Sequence, residues 1–358
     1  MKRRALLAGA GAVATGATST FPAPAIAQGI RELKMVTSWS KNFPGLGTGA
    51  ERLARSITET SGGRLQVKVF AAGELVDAFE VFDAVSAGLA DMYHSAEYYW
   101  IDRSPAFAFF ATVPFGLTPN ELFAWIHHGG GQELWDELSA GFNIKSVLCA
   151  NTGVQMGGWF SKEITSPESY KGLRFRMPGL GGKVIERIGA TVITLPAGEI
   201  VPALQSGALN AAEYVGPWND LELGLYKAAK FYYYPGFHEP GTGDAVGINK
   251  GLWDGLSTEE QRVIETAAAA EYSHSIAEFN ANNRVALKTL INEHGVKLQK
   301  FDDSILRTLR KLSDDVVAEI GGSDPLTQRV YDSFSKFRKS IMTWTDISER
   351  AYLNARGL

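Results

Sequence analysis

The chain has 358 residues, 45% of them hydrophobic and 21% charged, with a formal net charge of −4 at pH 7. This length suggests about two domains, and this composition is that of a globular protein rather than a disordered one. The single cysteine, Cys149, excludes an intramolecular disulfide and a cysteine-based zinc site. The acidic balance of charge argues against nucleic acid as a partner.

The N-terminal segment has the pattern of an export signal. Basic residues at positions 2–4 precede a short run of small apolar residues, and Ala-Ile-Ala at 25–27 fits a cleavage site. We therefore predict a cleaved signal peptide over residues 1–27 and a periplasmic location. The Arg3-Arg4 pair also fits the twin-arginine route, and the sequence leaves Sec and twin-arginine export open. A membrane anchor is the alternative, but the apolar run is short for a bilayer span.

The first elements alternate between strand and helix. The sequence predicts strands at 32–38, 65–69 and 89–95, separated by helices around 50–57 and 80–87. This β-α-β-α-β order predicts a parallel sheet with helices on both faces.

The same pattern recurs later in the chain. The helix, glycine stop and strand of residues 81–91 match residues 201–211, which indicates two lobes of similar plan. From Ser257 the pattern is helical almost to the end, with helices at 259–292, 304–320 and 325–356. From the residues alone, the predicted fold class is α/β, with two lobes and long C-terminal helices. We assign 28–141 to the first lobe, completed by part of 250–358; 142–248 to the second lobe; and 249–358 to a crossover and helices packing on both lobes.

A short strand with two arginines is the first candidate binding element. In Gly-Leu-Arg-Phe-Arg-Met-Pro-Gly at 172–179, alternation places Arg174 and Arg176 on the same face. A guanidinium holds a carboxylate through paired hydrogen bonds. The alternative is that both arginines lie on the surface of an edge strand.

A second candidate combines oxygen-bearing side chains. Gln155 lies in a glycine-rich stretch, and Glu213 lies at the end of an apolar strand, where a carboxylate needs a partner. That partner is either Arg176 or a hard cation held by the Gln155 and Glu213 side chains and a main-chain carbonyl. Charge alone does not distinguish sodium from calcium.

Aromatic segments complete the candidate pocket. Tyr98, Tyr99 and Trp100 end the run 93–100, and either wall a pocket or form a core or lobe interface. Residues 232–241, which include His238 and Glu239, form either a pocket-closing loop or a corner packed on the sheet. With Trp218, these residues complete the predicted ligand-binding set.

Sequence motifs for catalysis are missing. The chain contains no G-x-S-x-G, P-loop or G-x-G-x-x-G motif, and we predict a protein that is not an enzyme. One alternative is a secreted α/β lyase or hydrolase that uses His238 and Glu239 as acid and base on a 2-oxo acid. Nothing in the sequence orients that pair. Another alternative is a sensor domain that signals, although the sequence shows no signalling or transmembrane segment.

Together these segments resemble the DctP-type solute receptors of tripartite ATP-independent periplasmic (TRAP) transporters over essentially the whole mature chain. The subgroup that binds 2-oxo acids and lactate is the most similar. The resemblance is carried by V-S-A-G-L-A-D (85–91), Y-H-S-A-E-Y-Y-W (93–100), G-L-R-F-R-M-P (172–178), L-Q-S-G-A-L-N-A-A-E-Y (204–214), A-E-Y-V-G-P-W (212–218), G-F-H-E-P-G (236–241) and W-D-G-L-S-T-E-E-Q (253–261).

The resemblance implies a two-lobed periplasmic binding protein fold with hinge-crossing strands. It also implies roles for individual residues. Arg176 would pair with the ligand carboxylate. One sodium or calcium ion, held by Gln155, Glu213 and the main-chain oxygen of Tyr214, would bridge the protein and the ligand. This subgroup often has Trp where Tyr214 stands, so the pocket shape and the preferred acid can differ. The family also implies membrane permease subunits as partners, and some members form homodimers through their C-terminal helices.

Overall fold

The computed structural model describes residues 29–358. The predicted signal peptide at 1–27 lies outside these residues. The strands are β1 (Arg31–Thr37), β2 (Leu65–Phe70), β3 (Met92–Ser95), β4 (Ile144–Asn151), β5 (Gly158–Phe160), β6 (Arg174–Arg176), β7 (Thr191–Val192), β8 (Ala211–Ala212), β9 (Phe231–Tyr234), β10 (Gly243–Asn249) and β11 (Lys297–Lys300).

Helices surround these strands. The α-helices are α1 (Gly47–Thr60), α2 (Val81–Ser86), α3 (Phe107–Ala111), α4 (Pro119–His128), α5 (Gly131–Ala140), α6 (Gly179–Arg187), α7 (Ala197–Gln205), α8 (Pro217–Leu223), α9 (Lys250–Asp254), α10 (Thr258–Asn292), α11 (Asp303–Gly321), α12 (Pro325–Ile347) and α13 (Glu349–Arg356). Single 3-10 turns cover Glu97–Trp100, Pro167–Tyr170 and Leu225–Lys227. Within the described range, no helix has both the length and the apolar character needed to cross a bilayer.

The strands form two sheets, which confirms the predicted two-lobed α/β architecture. The first sheet has the order β2-β1-β3-β10-β4, and the second has the order β11-β9-β5-β8-β6-β7. In the first sheet β1 pairs in parallel with β2 and β3, and in the second sheet β6 pairs in parallel with β7 and β8. An antiparallel strand follows in each, β10 beside β3 and β5 beside β8. The two lobes therefore repeat one plan, but both sheets are mixed rather than wholly parallel.

The chain passes between the sheets three times, twice through short crossing segments and once along α10, which leads from β10 to β11. β4 pairs with β10 in the first sheet, although the predicted boundary assigned residues from 142 onward to the second lobe. A buried apolar strand gives no local sign of the sheet that it joins, because that choice depends on pairing with a distant strand. The crossing segments are residues 152–157 and 235–242, and both lead directly into the candidate site.

Two further strands differ from the predictions. Residues 231–234 form β9 rather than the start of a loop, since Tyr232 and Tyr233 are buried in the second sheet. Residues 297–300 form β11, which pairs in parallel with β9 inside the region predicted to be helical.

The C-terminal helices pack against both lobes. Helix α10 begins with the predicted capping box of Ser257 and Glu260, and it contacts α1 and β4 on one side and α8 on the other. Helix α11 contacts α6 in the second lobe, and α12 contacts α3, α4 and α5 in the first. These contacts join the C-terminal helices to both lobes.

The lobes also meet at the carboxyl ends of their strands. The ring of Phe43, after β1, lies 5.8 Å from the ring of Tyr214, after β8. The Asn219 side chain donates a 2.8 Å hydrogen bond to the Pro44 carbonyl. Since these contacts connect the two lobes directly, the structure shows the cleft in a closed arrangement.

Candidate functional site

Arg176 and Glu213 form the centre of the site. Arg176 pairs in register with Ala212 on the parallel neighbour β8, so Arg176 and Glu213 meet at the carboxyl ends of adjacent strands. Arg176 Nη1 lies 2.6 Å from Glu213 Oε1 and 2.8 Å from the Glu213 carbonyl oxygen. Both side chains are 1% exposed. Burial acts to lower the pKa of Arg176, but Glu213 and the nearby tyrosines together outweigh burial, so the pKa is raised.

The two arginines of β6 have different environments. Arg174 is exposed, and its guanidinium donates to the main-chain carbonyls of Gly207 and Ala208. The Arg176 Nε donates to Leu195 O at 3.2 Å, and its Nη1 is used by Glu213. Among residues 29–358, Arg176 Nη2 makes no hydrogen bond, which leaves its two N–H groups available to a ligand. The surface alternative therefore holds for Arg174 and fails for Arg176.

His238 and Glu239 reach the same point from the second crossing segment. His238 Nε2 lies 3.2 Å from Glu213 Oε2, and the buried His238 Nδ1 has no partner. Glu239 is buried and accepts a hydrogen bond from the Thr242 hydroxyl. Burial and then the nearby Glu213 raise the pKa of Glu239 to about 7. Ligand atoms of Glu213, His238 and Glu239 lie within 4.8 Å of one another, a spacing that suits a cation.

Gln155 is oriented by two threonines. Its Nε2 donates to Thr152 Oγ1 at 3.0 Å and to Thr242 Oγ1 at 3.1 Å. This orientation turns Gln155 Oε1 away from both hydroxyls, and the buried Oε1 has no hydrogen-bond partner within residues 29–358. A buried acceptor without a donor is unfavourable unless something binds it. Amide and carboxylate oxygens are the ligands that sodium and calcium prefer, so Gln155 and Glu213 fit the predicted cation.

Aromatic residues from the two lobes close the site. Tyr98 packs on Gly179 at the start of α6, where an added Cβ would lie 3.3 Å from the Tyr98 side chain. The Tyr214 ring lies 5.6 Å from the Arg176 guanidinium carbon. A cavity of about 290 Å³ lies at the lobe boundary and is lined by Tyr98 and Tyr99 from the first lobe and by Met177 and Gly179 from the second. Tyr98 and Tyr99 therefore line this cavity between the lobes, and their contact with a ligand stays a prediction.

Trp100 and Trp218 pack against residues other than Arg176. Trp100 stacks on Phe82 at 4.9 Å and donates its indole N–H to Phe79 O, within the first-lobe core. In the 3-10 turn, successive side chains point about 120° apart, so Trp100 turns away from the direction of Tyr98. Trp218 packs edge-on against Phe279 of α10. Both tryptophans stabilise packing rather than lining the space beside Arg176.

Three residues of the site were not predicted. Thr152 and Thr242 are the two threonines that orient Gln155. Asp244 lies at the start of β10, two residues after Thr242. Asp244 is 1% exposed, and its Oδ2 has no hydrogen-bond partner. Burial, and secondarily Glu239, raise the pKa of Asp244 to about 8. The sequence signal was the polar cluster Thr-Gly-Asp at 242–244, immediately before an apolar strand.

Comparison with known proteins shows a match to one protein family. Residues 35–324 match the model described as bacterial extracellular solute-binding protein, family 7, or DctP. The chain is 41% identical to a monocarboxylate 2-oxoacid-binding periplasmic protein of Nostoc sp., over 99% of this chain and 98% of that one.

Solved structures give the same match at the level of the fold. A TRAP transporter solute-binding protein of Bordetella bronchiseptica, a mixed-occupancy dimer with copurified calcium and picolinate, has a TM-score of 0.90 and 32% identity, covering 92% of this chain and 97% of that one. A TRAP periplasmic solute-binding protein of Pseudoalteromonas atlantica with bound sodium and pyruvate has a TM-score of 0.88 and 35% identity, covering 91% and 99%. All three relatives are solute-binding proteins, and the alternative of a secreted enzyme is not supported.

Proposed function

The chain belongs to family 7 of the bacterial extracellular solute-binding proteins, the DctP family, and on this premise we propose that it is the periplasmic receptor of a TRAP transporter for a small monocarboxylate. A 2-oxo acid such as pyruvate, or a 2-hydroxy acid such as lactate, is the proposed ligand. The Nostoc relative is named for 2-oxo acids, and the Pseudoalteromonas structure holds pyruvate.

One observation carries this proposal: Arg176 and Gln155 present unused polar atoms toward a site that is closed to bulk water. The free Nη2 of Arg176 suits a carboxylate oxygen, because a charge-assisted hydrogen bond between them is strong. The unpartnered Gln155 Oε1 suits a cation. A ligand that carries a carboxylate next to a second oxygen satisfies both requirements.

The proposed cation ligands are Gln155 Oε1, the Glu213 carboxylate and the main-chain oxygen of Tyr214. When bound, a sodium or calcium ion supplies positive charge that attracts and orients the two neighbouring oxygens of the acid. Glu213 then has two roles, because it orients Arg176 through Oε1 and contributes negative charge to the cation site. His238 holds Glu213 Oε2 from the other side at 3.2 Å, and the Tyr98 and Tyr99 rings exclude water.

Closure of the two lobes links binding to transport. Tyr98 and Gly179 meet across the lobe boundary, as do Phe43 and Tyr214. We propose that ligand binding favours this closed arrangement by hinge bending at 152–157 and 235–242, and that the membrane permease subunits recognise the closed surface. Export by a signal at 1–27, through the Sec or the twin-arginine route, is part of the same proposal.

A homodimer through the C-terminal helices is the proposed assembly. Trp344 and Ile347 of α12 and Tyr352 of α13 are 62%, 73% and 65% exposed. Large exposed apolar side chains on one pair of helices are typical of an interaction surface. Light scattering of the wild-type chain and of a chain ending at residue 343 tests this assembly.

Titration calorimetry tests the proposed ligand. Pyruvate, lactate and longer 2-oxo acids are titrated into protein held in calcium, in sodium alone, and in chelator with potassium as the counter-ion. We expect binding of pyruvate or lactate with calcium or sodium, and its loss in chelator and potassium. Binding that is unaffected by removal of both cations would contradict the bridging ion, and binding of none of these acids would contradict the ligand class.

A further inference from the structure

Phe115 connects the first lobe to the second crossing segment. It lies between α3 and α4 with φ at 52°, a conformation that a non-glycine residue keeps only when its surroundings hold it. Its N–H donates a 2.7 Å hydrogen bond to the Phe237 carbonyl, and the two rings lie 5.7 Å apart. The Phe115 ring packs with the second-lobe core around Phe301. Phe115 therefore fixes the main chain immediately before His238.

Arg338 of α12 holds Phe115 from the other side. Its Nε and Nη2 donate to the Phe115 carbonyl at 3.0 and 2.7 Å, so both lone pairs of one oxygen are occupied by one guanidinium. The acidic groups near Arg338 are bound to other residues: Asp314 to Arg310, and Glu121 to Thr345. Burial, and then Arg310, lower the pKa of Arg338. Arg338 thus directs a partly desolvated charge at a single main-chain carbonyl.

His238 has little freedom to compensate if this segment moves. A Cβ added at Gly181 would lie 2.7 Å from His238 Cβ, which shows how closely α6 packs against it. His238 Nε2 contacts Glu213 Oε2 at 3.2 Å, and Glu213 in turn contacts Arg176. A displacement at Phe237 is therefore transmitted to the carboxylate that pairs with Arg176.

We propose that Arg338 is a positioning residue for the ligand site, acting through Phe115 and Phe237 on His238. Arg338 touches neither ligand nor cation, and its effect on affinity rests on the proposed binding of a monocarboxylate at Arg176 and Glu213. The C-terminal helix α12 thereby becomes a structural support of the binding site.

The test uses the full mature chain with Arg338→Met, which keeps the aliphatic length and removes the donors. Arg329→Met is the matched control, because Arg329 lies on the same helix and, in the described part of the chain, pairs with the exposed Glu137 alone, at 2.7 Å. Two quantities are measured: the pyruvate dissociation constant with calcium, by calorimetry, and the imidazole resonances of His238, assigned by comparison with His238→Gln.

We expect Arg338→Met to raise the dissociation constant about tenfold, since a hydrogen bond to a charged group is lost, and to shift the His238 resonances. Arg338→Lys should recover part of both effects, and Arg329→Met should leave both unchanged. A folded Arg338→Met protein with wild-type affinity and unshifted His238 resonances would overturn the proposal. If Arg338→Met does not fold, Arg338→Gln is judged by the same two quantities. Should the wild-type chain not bind pyruvate, the proposed function fails, while the His238 resonances still decide the role of Arg338.

Discussion

Arg176 and Glu213 form a buried ion pair that leaves one guanidinium nitrogen, Nη2, without a hydrogen bond to any of residues 29–358. Nη1 lies 2.6 Å from Glu213 Oε1 and Nε binds Leu195 O, so Nη2 is directed elsewhere. A buried charge pair stabilises little by itself, because desolvation offsets the attraction. The ion pair has a functional role if the donors on Arg176 Nη2 bind an anion. This relationship is the basis of the predictions that follow.

Arg176→Ala should abolish binding of the monocarboxylate and reduce the free energy of unfolding by about 3–5 kcal/mol, because it leaves the buried Glu213 without its partner. Calorimetry and urea unfolding measure the two effects. Arg174→Ala is the matched control, two residues away on the same strand and exposed. It should bind normally. Near-wild-type affinity in Arg176→Ala would refute the assigned role.

Gln155→Leu should remove the cation dependence of binding. The substitution keeps the approximate size of the side chain but deletes the unpartnered Oε1 and the donor to Thr152 and Thr242. We expect pyruvate affinity in calcium to fall by about tenfold or more, to the level that the variant shows in chelator. Gln205→Leu, on the exposed side of α7, is the control. A variant that still responds to calcium as the wild type does would exclude Gln155 as a ligand.

Asp244→Asn should alter the pH dependence of stability. The pKa of Asp244 is raised from 3.8 to about 8 in the folded chain, so the folded state holds the proton more tightly than the unfolded state. Asp244 therefore makes the wild type lose stability as pH rises from about 4 to about 8. Asp244→Asn removes this loss. We therefore expect the free energy of unfolding of the variant, relative to that of the wild type, to rise by roughly 2–4 kcal/mol between pH 5 and pH 8.

Urea unfolding at pH 5, 6.5 and 8 measures this trend. The exposed Asp77→Asn makes the same chemical change away from the site and should run parallel to the wild type at every pH. If Asp244→Asn also runs parallel to the wild type, the buried carboxyl does not titrate as described.

Gly247→Ala should destabilise the first lobe. A Cβ at this position of β10 would lie 2.0 Å from Tyr93 Cζ, and the Tyr93 hydroxyl binds Glu97 at 2.5 Å beneath the 3-10 turn that carries Tyr98. We expect a loss of about 3 kcal/mol or more, because the ring has to move within a packed core. Gly198→Ala has open space around it and should be neutral or slightly stabilising. Equal melting temperatures for the two variants would contradict the packing described here.

Local patterns predicted much of the fold and the family. Helical periodicity and strand alternation located most elements, and the resemblance to the DctP family was confirmed. The sheet membership of β4 and the existence of β11 depend on pairing with β10 and β9, which lie far away in sequence. No local pattern encodes such partners.

In the candidate site too, local patterns predicted some features, and others depended on tertiary contacts. Arg176 and Glu213 could be predicted because charges in apolar strands need partners. The sequence could not predict which partner Glu213 has, because either an arginine or a cation satisfies a buried carboxylate. Trp100 and Trp218 were assigned to the pocket because aromatic residues are common in pockets and in cores alike. Only the tertiary contacts with Phe82 and Phe279 distinguish the two.

A crystal structure grown with pyruvate and calcium would locate both ligands in the site. We expect a carboxylate within hydrogen-bond distance of Arg176 Nη2, with one cation in contact with Gln155 Oε1, the Glu213 carboxylate and the pyruvate. Pyruvate bound away from Arg176, or a cation that touches neither Gln155 nor Glu213, would contradict this expectation.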